Sequence, residues 1–211
     1  MTDGGARAGR RLTRALRRGS WGGIAIVASP AASAHTAGDG AGAFYAGLGH
    51  LFSDPAHVLL LLAIGLGLGL RPSPTARFGT WSFCLTLLVG LGAAFGFGLL
   101  PGLDRLLLAL AAVTALSLVV VGAVLPGWAV LGMASLSGLA IGLDSAPPDG
   151  PWQASLMMLS GTLLGALMGV VYVVVIVGYF QKPWQRIGVR VAGSWIAASA
   201  LLVLALRFAG V

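Results

Sequence analysis

All three histidines of this chain fall inside one stretch, HTAGDGAGAFYAGLGHLFSDPAH, from His35 to His57, together with Asp39 and Asp54. Imidazole nitrogen and carboxylate oxygen are the donor types that suit borderline divalent metals such as nickel, cobalt, zinc and copper. His50, Asp54 and His57 stand at i, i+4 and i+7, which puts side chains on one face of a continuous helix. Pro55 makes that continuity doubtful. Asp54 then reads as an N-cap and Pro55 as the first residue of a new helix. His57 would sit in its first turn, and His50 would close the segment before it. Either geometry brings the three side chains to one place. The plainer alternative leaves the two histidines bonded to backbone and headgroups at an interface, with Asp54 only a cap.

A second candidate is Asp144, in the run Gly138-Leu-Ala-Ile-Gly142-Leu-Asp144-Ser145. It closes an apolar segment, and its alternative is an interfacial residue in a Pro/Gly loop. His35 is a further candidate ligand. Should the chain be cut just before it, its imidazole and a new α-amine form a chelating pair on a tether.

The elements that position these residues are apolar. Hydrophobic residues make up 57% of the 211-residue chain and charged residues 9%, against about 25% charged in a soluble domain. Mean hydropathy is +0.93. Continuous apolar runs rather than alternation specify an all-α, polytopic transmembrane bundle and not a barrel. The net charge of +7 does not indicate nucleic-acid binding, because six of the thirteen basic residues precede residue 19. Cys84 has no cysteine partner in the chain and reads as a packing residue.

Residues 1–34 have the order of a signal peptide: an arginine-rich arm, the apolar run Trp21–Ala28, then Ala32-Ser33-Ala34 as a small–x–small cleavage site. The apolar run is too short to span a bilayer, although an uncleaved signal anchor is the alternative. Residues 35–54 follow as an outer-face segment, with the semi-apolar GLGHLF region forming a short half-helix. Residues 55–211 form the membrane domain.

Six spans are expected there: Pro55–Leu70, Phe78–Leu100, Leu103–Leu125, Trp128–Leu143, Trp152–Phe180 and Trp184–Phe208. Prolines punctuate their boundaries. With the mature N-terminus outside, the inner loops hold Arg71, Arg77, Lys182, Arg186 and Arg190 and no acid. That is the positive-inside pattern. The outer side then holds Asp39, Asp54, Asp104, Asp144 and Asp149. Gly161, Gly165 and Gly169 repeat every four residues, as in a face for close helix packing.

These residues resemble the HupE/UreJ family of small bacterial membrane proteins, associated with nickel or cobalt uptake for hydrogenase and urease. The resemblance runs from about His35 to the C-terminus. The family's first motif has the form H-P-L-x-G-x-D-H. His50 and His57 match its histidines, while Leu51 and Ala56 replace its proline and aspartate, and Asp54 stands where the family has glycine. The second motif resembles F-H-G-H-A-H-G-x-E. Gly138, Ala140, Gly142 and Asp144 match its small residues and its acid, but Ser137, Leu139 and Ile141 occupy the histidine positions. The chain is thus similar to a divergent member that lacks the softer ligands of that motif.

The resemblance implies a six-span permease of the bacterial inner membrane that carries a divalent metal, nickel or cobalt, from periplasm to cytoplasm for metalloenzyme maturation. The metal enters as substrate, with no resident cofactor expected. The expected partners are the lipid bilayer, the metal ion and metalloenzyme maturation machinery, with no nucleic acid. The second reading is a non-transporting accessory protein that assembles or anchors a metalloenzyme. An intramembrane enzyme is not expected, because no serine or cysteine nucleophile is visibly paired to histidine. The chain holds no GxxxxGK[ST] phosphate-binding loop.

Overall fold

Proline sets the helix boundaries. α1 spans Gly40–Ser53 and α2 spans Pro55–Gly69, with Asp54 between them. α3 (Ser73–Phe97), α5 (Gly127–Leu143) and α6 (Trp152–Gly178) each follow an N-capping proline, namely Pro72, Pro126 and Pro151. α4 covers Leu103–Val120, and α7 starts on a proline and covers Pro183–Ala209. The computed structural model describes residues 40–98, 101–120 and 125–209, and among these the regular secondary structure is all α-helix. The expected signal peptide and His35 lie outside the described residues.

α3, α4, α6 and α7 are long and apolar enough to cross a membrane, at 25, 18, 27 and 27 residues. α1 and α2 pass that test only together, and they are bent by 75° at Asp54. The described helices therefore give four membrane-crossing candidates, or five if the bent pair is one span. The sequence expectation of six counted Pro55–Leu70 and Trp128–Leu143 as full spans. The corresponding helices have 15 and 17 residues, short of the ~20 that cross a hydrocarbon core upright. The short half-helix expected before the first span is α1, 14 residues long.

A large apolar surface faces outward, including Phe78, Leu85, Val89, Val113, Met168 and Leu202. Apolar exposure of this extent on helices of this length is what a lipid-facing surface looks like. Trp128, Trp152 and Trp184 are exposed at helix starts, the level favoured by indole rings. The protein is a membrane protein by this architecture.

α2 is the axis of the bundle. It packs against each of the other six described helices. It is apolar all round and largely buried, with Leu60, Ile64 and Leu68 at its centre, as expected of a helix with no solvent face. Two glycine contacts fix what surrounds it. Gly47 of α1 and Gly161 of α6 bring those helices together, since a Cβ on either would overlap the other helix's backbone at Met158 O or Phe44 O. In the same way Gly90 of α3 meets α5 at Gly142, whose Cβ would stand 2.6 Å from Leu87 O. Small residues of this kind let helices approach where lipid offers no hydrophobic drive.

Charged side chains sort to the two ends of the bundle. One end carries Asp54, Asp144 and the pair Arg207 Nη1–Asp104 Oδ2 at 3.6 Å. At the other end Arg71 Nη1 donates to Leu125 O at 2.8 Å, and Arg190 Nη2 donates to Val119 O at 2.6 Å.

Candidate metal centre

The break between α1 and α2 builds the site. Asp54 is an extended residue whose Oδ1 accepts the Ala56 N–H at 2.9 Å. This is N-capping with proline at the first helical position. The cap uses one carboxylate oxygen and leaves Oδ2 facing His57, 3.9 Å from Nδ1. Because His57 lies in the first turn of the central helix, it is carried into the bundle and is fully buried.

α5 supplies the second carboxylate. Asp144 is the C-cap of α5, one residue beyond its last turn; its backbone N–H returns to Ala140 O, and the Ser145 N–H to Gly142 O. Next to it, the buried Ser145 hydroxyl donates to Ile141 O at 2.7 Å and holds the chain in place. Asp144 Oδ2 stands 3.3 Å from His57 Nε2. The donor atoms of Asp54, His57 and Asp144 all lie within 4.8 Å of one another. His50, in the last turn of α1, adjoins this group edge-on, its ring centroid 5.3 Å from that of His57.

Two features give the cluster its electrostatics. Both ring nitrogens of His57 are buried and neither has a hydrogen-bond partner among the described residues. Leaving a buried polar atom unsatisfied costs about 1–3 kcal/mol, so such atoms call for an explanation. The two carboxylates are also only partly exposed, at 24% for Asp54 and 14% for Asp144. Burial, followed by the charges of Asp54 and Asp104, pushes the Asp144 carboxyl up to about 6. Asp144 moreover sits at the carbonyl end of α5, and helix C-termini favour cations over anions. Negative charge and imidazole nitrogen are thus concentrated where a cation would relieve both.

Asp144 and the His50–Asp54–His57 group, separate candidates in the sequence, meet in one cluster. Two adjoining α5 positions do not contribute. Ser137 is buried and donates to Met133 O at 2.7 Å, and Ile141 is part of the core. Leu51 and Ala56, at the first motif's proline and aspartate positions, are buried packing residues. What sequence reasoning missed is the approach of Asp144 to His57. Its only signal was the glycine pair Gly138 and Gly142, which lets α5 pack directly on α3.

Residues 24–203 match the family model described as HupE / UreJ protein. No curated protein and no solved structure matches the chain.

Proposed function

The chain belongs to the HupE/UreJ family, and from that premise we propose that it is a permease for a divalent transition metal, nickel first and cobalt second. The ion is taken up at the acidic end of the bundle and released at the basic end. One observation carries this reading: His57, fully buried between two carboxylates with neither ring nitrogen hydrogen-bonded among the described residues. A divalent ion would take one imidazole nitrogen and an oxygen each from Asp54 and Asp144. His50 stands close enough to join after a change of rotamer, and water would complete the shell. With so few nitrogen donors the site releases its ion readily, as a carrier must.

The chain's own residues divide the work. Asp54 captures with its free oxygen while its other oxygen holds the start of α2. His57 selects for borderline metals over magnesium or calcium, which prefer oxygen alone. Asp144 neutralises the second charge. Inward movement is driven by the membrane potential, worth about 4.6 kcal/mol for a divalent ion at 100 mV by doubling the single-charge value.

Orientation follows from the charge segregation. The end with Arg71, Arg77, Arg186 and Arg190 is cytoplasmic by the positive-inside rule, and the metal cluster is periplasmic. α2 and the short α5, with the four long helices, make up the expected six spans, in the inner membrane, after a signal peptide removed at Ala34. His35 then starts the mature chain and delivers metal to the cluster.

The second reading is an accessory role in metalloenzyme assembly. It is favoured by the core packing of Ile141 and the hydrogen bond that occupies Ser137, on a helix, α5, whose sequence holds no histidine. Uptake of nickel into proteoliposomes separates the two. The permease reading expects uptake by the wild type and its loss in a His50→Ala/His57→Ala double variant. Binding without uptake establishes the accessory reading instead.

A further inference from the structure

A cavity lies at the opposite end of α2 from the metal cluster, lined among others by Gly69 and Leu70. It measures about 920 Å³ and opens between α3 and α6, near the upper end of the ~300–1,000 Å³ usual for ligand pockets. Its walls are two helix faces. Ala76, Thr80 and Cys84 recur at helical spacing on α3, and Leu167, Val171 and Val174 do so on α6. The α6 face continues to Val177, so it runs for about 15 Å at 1.5 Å per residue. The rim is cationic. Arg71, Arg77 and Arg186 line it, and no carboxylate does.

This chemistry excludes two occupants. Three guanidinium groups and no acid offer a divalent cation no site at which to stay bound. A free inorganic anion would use the rim alone and leave the long apolar wall without a role. An amphiphile with an anionic head uses both. Arg77 and Arg186 are exposed, and among the described residues their side chains carry no hydrogen bond or ion pair, whereas Arg71 already donates to Leu125 O.

We propose that this cleft binds an anionic phospholipid, with the headgroup phosphate between Arg77 and Arg186 and an acyl chain along Leu167, Val171 and Val174. Basic pockets between membrane helices on the cytoplasmic side suit such headgroups, and arginine's planar fork suits phosphate. The lipid fills the space between α3 and α6 and braces the two helices that flank the C-terminal end of α2. The proposal rests on the membrane reading of the helices and not on the metal site.

Native mass spectrometry of the full chain in mild detergent tests it. The protein is incubated with phosphatidylglycerol or with phosphatidylcholine of matched acyl chains. The wild type should retain phosphatidylglycerol in preference, by about fivefold for each arginine that meets the headgroup. Arg77→Gln/Arg186→Gln should abolish that preference and Arg77→Lys/Arg186→Lys should keep most of it, while millimolar inorganic phosphate should not displace the lipid. Equal retention of the two lipids by the wild type overturns the proposal, and that comparison needs no variant to fold. An unchanged preference in the glutamine variant, or displacement by phosphate, overturns it too.

Discussion

Asp144 Oδ2 lies 3.3 Å from the buried His57 Nε2, although the two residues come from helices joined only through α3 and α4. That approach closes the cluster, because it sets a carboxylate on each side of one imidazole.

His57 should be a liability to the metal-free protein. Replacing it with leucine removes two buried nitrogens that make no hydrogen bond among the described residues, at nearly constant volume. We expect His57→Leu to raise apo stability by about 1 kcal/mol, read as a higher Tm in detergent. The same variant should lose any rise in Tm on adding nickel, since a ligand stabilises only the state that binds it. A variant less stable than wild type without metal contradicts an unsatisfied histidine.

Binding should weaken in acid. Asp144 is pushed from its ordinary 3.8 up to about 6. A raised carboxyl stabilises the apo fold below pH 3.8 and loses that contribution as pH rises through about 6. Metal binding runs the other way, because the ligands must be deprotonated. Affinity should therefore fall from pH 7.5 to pH 5.5, and Asp144→Asn should flatten the change. Titration calorimetry at the two pH values reads both effects.

Gly142 should matter through geometry. A Cβ there would stand 2.6 Å from Leu87 O and 2.7 Å from Leu91 N. Gly142→Val should push α5 from α3, cost about 1–3 kcal/mol and draw Asp144 away from His57, with weaker metal binding. Gly92→Ala, where a Cβ meets nothing within 4 Å, should change neither stability nor binding.

The mature chain should begin at His35. N-terminal sequencing of protein purified from membranes reads this directly. Recovery of Met1 removes the N-terminal chelate from the account and leaves the buried cluster untouched.

Much of this was legible in the sequence, for local reasons. Proline placement marked helix boundaries, and Asp54-Pro55 announced an N-cap that the structure forms. Gly161 was legible as a packing position, although Gly47, which meets Met158 O on the same pair of helices, was not. The sequence could not show that α1 and α2 bend by 75°, because the angle depends on α1 lying against α6. Nor could it show α2 as the central helix, since all-apolar runs look alike whether they face protein or lipid. The joining of Asp144 to His57 depends on α3–α5 glycine packing, which no local pattern encodes. The arginines of the α3–α6 cleft were legible only as topology signals, and their convergence on an apolar cavity needed tertiary structure.

The central claim is that Asp54, His57 and Asp144 together hold one divalent metal ion. Calorimetric titration of nickel into the detergent-solubilised protein at pH 7.5 tests it most directly, in a His35→Ala background so that the N-terminal imidazole contributes nothing. One site is expected, weakened at least roughly tenfold by His57→Ala and by Asp144→Asn, as for loss of groups that hold a metal. Undiminished binding in both variants would contradict the claim.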